Sequence, residues 1–328
     1  MIAGKIFVRE LFQSDASVWD QFVDSSTNGT IFHEMKFLGY HEPRKFDLRF
    51  LTFYEGRNRI IALLPFELKD GILKSPVGAS YGGLVLSQMS LQKTYQVVLA
   101  LLGWAAENGV RKIRFTYAPL IYTDRMAQDL DFVLLYCGFQ NTHNLFSSVI
   151  DLVWFSQGDS FQKVSPSGRR AIKKSLMEDV QIQETGDLDS YYPILERNKL
   201  KFGVKPAHQL NEMKELQKRY PDQIKLFGAF CQENLIAGVW TMKCNSRVAL
   251  AFYIASDPDF NLVRPVNRLL FEIARKFSQE GMQYLDLGVS MNTSSDNPIE
   301  PSWSLVSFKE IAGSKGFLRP SYEKSFIG

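Results

Sequence analysis

One order of elements occurs twice in this chain. Residues 48–117 read as a strand (LRFLTFYEG), a second strand (IIALLPFEL), a third (ASYGGLVL), an apolar-periodic helix (TYQVVLALLGWAAENG) ending at Gly109, and a closing strand (VRKIRFTY). Residues 224–289 repeat the order with IKLFGAFCQ, LIAGVWTMK, RVALAFYIAS, a helix over VNRLLFEIARKFSQEG that ends at Gly281, and MQYLDLGV. From Leu48 to Gly109 is 61 residues and from Ile224 to Gly281 is 57. The short breaks Glu55-Gly56 and Glu233-Asn234 between apolar runs are hairpin signals. Leu269, Leu270, Ile273, Ala274 and Phe277 recur at the spacing of three and four that puts them on one helix face. Strand, helix, strand implies a right-handed parallel crossover joined to antiparallel strands. The expected fold class is therefore α/β, with mixed sheets and helices on their faces.

A chain of 328 residues has room for two domains at roughly 100–200 residues each. The polar stretch SQGDSFQKVSPSG reads as a linker or loop, which places a boundary near residues 150–165 and divides the chain into 1–155 and 156–328. Pro166 and Ser167 suit a helix start, and Arg169 to Met177 a basic helix. Residues 187–220 read as further helices, broken around Phe202 to Pro206. Cys137, Cys231 and Cys244 fit no zinc or redox spacing, and are expected as reduced thiols. His33, His41, His143 and His208 are scattered, so no metal is expected. A net charge of +3 is not that of a dedicated nucleic-acid binder. Charges interrupt the opening segment MIAGKIFVRELFQSD, which argues against a secretory signal. No window offers about 18 uncharged apolar residues, so membrane insertion is not expected. The expected location is cytoplasmic.

Five segments resemble the FemAB-like and BioF2-like acyltransferases of the GNAT superfamily. WDQFVDSSTNGTIFHE (19–34) is similar to that family's opening. GRRAIKKSLMEDV (168–180) resembles its arginine-rich helix, and FYIASDPDFNLVRPVNRLLFE (252–272) its strand, loop and helix. EGMQYLDLG (280–288) is similar to its Gly-x-x-x-Phe/Leu-Asp-Phe/Leu-Gly strand, and SFKEIAGSKG (307–316) to its closing Phe-Lys-x-x-Phe-Gly element. The resemblance implies two tandem GNAT-like domains, the first on the acceptor side and the second holding donor and chemistry. It also implies an acyltransferase, with acyl-CoA as co-substrate. The chain departs from the family in two places. Ala312 replaces a phenylalanine, and DPDFNLVRPVN lacks the Gly-rich loop with which many GNAT enzymes cradle the pyrophosphate of coenzyme A. Nor does the second half contain a long charged coiled coil, as members that take aminoacyl-tRNA often do.

Acyl transfer needs a deprotonated acceptor, a stabilised oxyanion and alignment of donor with acceptor. By resemblance Lys309 matches the lysine that stabilises developing charge, with Phe308 beside it as a pocket wall. Asp286, at a strand end, is a candidate general base, and Tyr253 a candidate general acid. Arg264 and Asn267 just precede a helix whose N-terminus would favour a phosphate, and with Phe308 they are the candidate cofactor-binding residues. Arg169, Arg170 and Lys173 form a basic face suited to the phosphates of a nucleotide-sugar-type acceptor. The expected function is transfer of an acyl or aminoacyl group to an amine or hydroxyl of a cell-envelope or polysaccharide precursor. Acyl-CoA, an acyl carrier protein and aminoacyl-tRNA remain open as donors. A non-catalytic binding protein on the same fold is the alternative from another class.

Overall fold

The computed structural model describes residues 5–11, 16–41, 45–56, 58–201 and 203–326. Met1–Gly4 and Phe12–Asp15 of the opening segment, and Phe202 at the predicted helix break, lie outside the described residues. By contacts the chain forms two units, Met1–Leu145 with Leu318–Gly328, and Phe146–Phe317.

The first unit begins with β1 (Ile6–Leu11), α1 (Ala16–Ser25) and α2 (Met35–Leu38). It continues with β2 (Leu48–Glu55), β3 (Arg59–Lys69), β4 (Ile72–Ser75), β5 (Val85–Leu86), α3 (Leu91–Glu107), β6 (Lys112–Thr116) and α4 (Asp129–Tyr136). β7 (Gln140–Asp151) runs on from the first unit into the second, and the last strand, β13 (Lys315–Ser325), returns from the second to the first. The sheet order is β1-β2-β3-β4-β6-β13, with every pair antiparallel except β4 and β6. α3 starts where Ser90 accepts the Lys93 N–H and stops at Gly109, whose φ of +67° suits glycine. Its apolar face, including Val97, Val98 and Leu101, packs on Leu51, Phe53, Leu64 and Phe115 of the sheet.

The third strand of the repeated order is β4, not the segment ASYGGLVL. Of that segment only Val85 and Leu86 pair, with Leu63 and Ala62 of β3. The reason is the Gly82-Gly83 pair. A Cβ on Gly83 would lie 2.3 Å from the Tyr117 ring, and one on Gly82 2.6 Å from the Pro76 backbone. These glycines serve close approach rather than strand pairing.

The second unit contains the rest of β7, α5 (Leu152–Ser156), α6 (Ser160–Lys163), α7 (Pro166–Met177) and β8 (Gln181–Thr185). Then come α8 (Leu188–Leu200), α9 (Leu210–Arg219), β9 (Ile224–Cys231), β10 (Asn234–Lys243), β11 (Val248–Ser256), α10 (Pro265–Gln279), β12 (Tyr284–Val289) and α11 (Trp303–Ile311). The order β8-β9-β10-β11-β12-β7 has the pairing pattern of the first unit: all antiparallel except β11 with β12. The duplicated order legible in the sequence is thus a duplicated pairing scheme. The β9–β10 turn is Gln232-Glu233, one residue before the predicted pair, with φ of +48° and +69°. α10 ends at Gly281, φ +82°, as the periodicity predicts.

The region expected to hold the boundary, near residues 150–165, contains α5 and α6, and Leu152 and Phe155 are buried in the core of the second unit. That core lies between the sheet and α10, where Leu269, Leu270, Ile273 and Phe277 meet Ala249, Ala251, Leu285 and Leu287. The three cysteines are free. Among the described residues no group of His, Cys, Asp or Glu could hold a metal ion, and no helix is long and apolar enough to cross a membrane.

Candidate functional site

Two parallel strands of the second unit separate after a short contact. β11 and β12 pair only at Val248↔Tyr284, Ala249↔Leu285 and Leu250↔Asp286. The cause on the β12 side is Asp286. Its Oδ1 accepts the Gly288 N–H at 2.7 Å and the Ser147 hydroxyl at 2.6 Å. The first bond closes a tight turn over Leu287 and bends the strand, and its register against β7 shifts between Asp286 and Val289. Gly288 completes the bend at φ +75°, which costs a residue with a Cβ about 1–2 kcal/mol. On the β11 side a bulge falls at the same level, since Trp240 pairs with Tyr253 and Thr241 with Ala251, leaving Phe252 over. Beyond Leu250 and Asp286 the two strands diverge.

The bend turns two carbonyls towards α11. Lys309 is 3% exposed, and its Nζ donates to Gly288 O at 2.8 Å and Val289 O at 3.0 Å. Burial pushes its pKa down to about 8; the Asp286 charge works against that shift and the Lys199 charge adds to it. Asp286 is fully buried. Phe308, next to Lys309, packs against the apolar core.

Tyr253 lies three residues past the last parallel pair. Its ring stacks on Trp240 at 5.8 Å, and its hydroxyl accepts the His208 N–H at 3.2 Å and lies 2.9 Å from His208 Nδ1. Burial pushes the phenol up to about 12, so it keeps its proton at neutral pH. Lys199, in the last turn of α8, holds its ammonium 5.6 Å from the centre of the Tyr253 ring, and burial lowers its pKa. The Lys309, Asp286 and Tyr253 predicted from sequence all sit where β11 and β12 part. Lys199 and His208 were not foreseen, because a lysine in a helix's last turn and an isolated histidine carry no pattern that sets them apart.

Arg264 and Asn267 stand elsewhere, at the start of α10. Arg264 is exposed, in the left-handed conformation (φ +55°), after a 3-10 turn over Pro258–Val263. Asn267 faces a shallow crevice lined by Gly168, Ile172, Phe271, Ile311 and Ala312. Pro265, first in the helix, has no N–H, and the Arg268 amide is the first to bond back within the helix, so the first turn offers the amides of Val266 and Asn267 to an anion. That set suits one phosphate group better than a pyrophosphate. Of the basic face, Arg169 is taken up locally, donating to Gln162 O and Val164 O at 3.2 and 3.0 Å. Arg170 and Lys173 are exposed on α7, with the Lys173 ammonium 5.8 Å from the Phe161 ring centre.

Residues 199–295 match the family model described as an acetyltransferase (GNAT) domain, a span that includes β11, α10 and β12. This segment is thus similar to GNAT acetyltransferase domains. Similar solved structures extend over the whole chain. FemX is similar with a TM-score of 0.71 at 11% identity, covering 97% of each chain. L-PGS from Bacillus licheniformis is similar with 0.61 at 12% identity, covering 96% of this chain and 93% of that one. A tandem GNAT protein of the clavulanic acid biosynthesis pathway gives 0.52 at 11% identity over 98% of both. No curated protein sequence matches the chain. At such identities the likeness is one of fold, and that fold is the tandem GNAT arrangement that the sequence resemblance implies.

Proposed function

We propose that the second unit moves an acyl or aminoacyl group from an activated donor to an amine or hydroxyl acceptor, in the opening where β11 and β12 part. The observation that carries this is Lys309, a buried ammonium tied to the bend that opens the two strands. When the acceptor attacks the donor carbonyl, the carbon becomes tetrahedral and its oxygen gains negative charge. An ammonium in a water-poor site stabilises that oxygen far more than it would in bulk solvent. Tyr253, protonated across neutral pH, supplies the proton that the leaving group takes as the tetrahedral species collapses, and the proton shed by the acceptor restores the phenol. Asp286 acts as a positioning residue. Its exposed surface is nil and its Oδ1 is engaged by Ser147 and Gly288, so it acts through the bend rather than as the base expected from sequence.

The first turn of α10, with Arg264 and Asn267, holds the donor's phosphate, and the first unit takes the acceptor. On the FemAB-like resemblance, the acceptor is a cell-envelope or polysaccharide precursor. An aminoacyl-tRNA donor is the second reading, favoured by the absence of glycine from the whole DPDFNLVRPVN loop. The test is transfer to a pool of envelope precursors with acyl-CoA, acyl-phosphopantetheine and aminoacyl-tRNA as donors, comparing wild type with Lys309→Met. Loss of at least 100-fold in the variant with one donor class supports the reading and selects the donor. Equal rates remove Lys309 from the chemistry. No transfer with any donor leaves a non-catalytic binding role for the fold.

A further inference from the structure

Between Ser160 and Met177 the chain carries Lys163, Arg169, Arg170, Lys173 and Lys174 and no acidic residue. Buried Gly168, Ile172 and Ser175 define the inner face of α7. Arg170, Lys173, Lys174 and Met177, at spacings of three and four, form the outer stripe. All four are exposed, Met177 by 83%, and Leu176 beside it by 51%. Among the described residues neither Arg170 nor Lys174 has an ion-pair partner, and the Lys173 ammonium lies over the Phe161 ring. The apolar end of the stripe is anchored beside the start of α10: Arg268, in the first turn, donates to Val180 O at 2.6 Å, three residues beyond Met177. Leu262, in the turn before α10, is 73% exposed.

We propose that this face docks an acidic protein that carries the acyl group as a thioester on a phosphopantetheine arm. The proposal rests on the acyltransferase reading above and names the donor's source. Unpaired cations in a row call for an acidic surface, and steer its approach. The exposed methionine and leucines favour a protein over an RNA, which would be met by aromatic stacking rather than aliphatic side chains. A phosphopantetheine arm brings a single phosphodiester, which matches the two amides at the start of α10 better than the pyrophosphate of coenzyme A does. Arg170 and Lys173 then serve the donor's carrier rather than acceptor phosphates.

The experiment measures binding by fluorescence anisotropy at two salt concentrations. The probes are the same cell's acyl carrier protein bearing an octanoyl arm, free octanoyl-phosphopantetheine, octanoyl-CoA, and an RNA hairpin ending in CCA. Proteins are the full chain, Arg170→Glu/Lys173→Glu/Lys174→Glu, and Met177→Asp alone. All four sites are exposed, so folding is not at stake. The expected result is carrier binding that weakens at least 10-fold in the triple variant, and several-fold in Met177→Asp and in high salt, while the free arm binds all three proteins alike. Failure of the carrier while the arm or CoA binds overturns the docking proposal and leaves the acyltransferase reading standing. RNA binding that depends on α7, without carrier binding, overturns it in favour of a tRNA donor. Failure of every probe overturns both.

Discussion

Lys309 is the residue on which the chemistry turns, and its protonation state sets the pH dependence. With a pKa near 8 it is charged at neutral pH and neutral above, so transfer is expected to fall as pH rises through about 8. Lys309→Arg, which stays charged, should lose that alkaline limb; a pH–rate profile of both proteins checks this. The same shift has a consequence for stability. An unfolded lysine titrates at 10.5, above the folded value, so the unfolded state binds more protons between pH 8 and 10.5. Stability therefore rises with pH across that window. Urea unfolding of wild type against Lys309→Met should show wild type gaining, relative to the variant, up to about 3 kcal/mol between pH 8 and 10.5. A flat difference would mean that the ammonium is not desolvated. Asp286→Ala removes the acceptor of a buried hydroxyl and a half-buried amide and should cost about 2–3 kcal/mol in urea unfolding, with transfer activity falling further than stability alone explains.

At the scale of elements, the helix boundaries rest on local chemistry. Ser165 caps α7 by accepting the Gly168 N–H, and Ser165→Ala should lower stability by about 1 kcal/mol, read by thermal unfolding. α10 was legible because its apolar stripe and its closing Gly281 are both written locally. β4 was not: four residues, Ile72–Ser75, leave too short an alternation to read, and the apolar run after it was more conspicuous. The meeting of Lys309 with Gly288 and Val289 was beyond the sequence as well. It depends on a bend made by Asp286 and on a helix 20 residues further on, a long-range contact with no periodic signal. The resemblance named Lys309, and the residue chemistry added Asp286 and Tyr253 as candidates. The bond from Gly288 to Asp286 gives that carboxylate a physical task the motif alone did not suggest. Arg169 shows the opposite limit, since its position in a basic run gave no hint that two local carbonyls occupy it.

For the molecule as a whole, the repeat explains the use of the two chain-crossing strands. Each unit has five strands of one scheme and needs a sixth beside its second parallel strand. β7 fills that place in the second unit and β13 in the first. Residues 321–325 are thus part of the first unit's sheet, with Tyr322 5% exposed and its hydroxyl donating to Asp131 at 2.7 Å. Deleting Leu318–Gly328 should leave β6 as an open edge and make the first unit the earlier site of proteolysis, while cleavage within 146–317 stays slow. Limited proteolysis followed by mass spectrometry reads this directly.

The measurement that bears most directly on the central claim is the rate of acyl transfer, followed by release of the donor's leaving group, in wild type, Lys309→Met and Lys309→Arg from pH 6 to 10. The account predicts a wild-type rate that falls through about pH 8, a Lys309→Met rate lower by at least 100-fold at pH 7, and a Lys309→Arg rate with no alkaline limb. A Lys309→Met enzyme with the wild-type rate and the wild-type pH profile would contradict it.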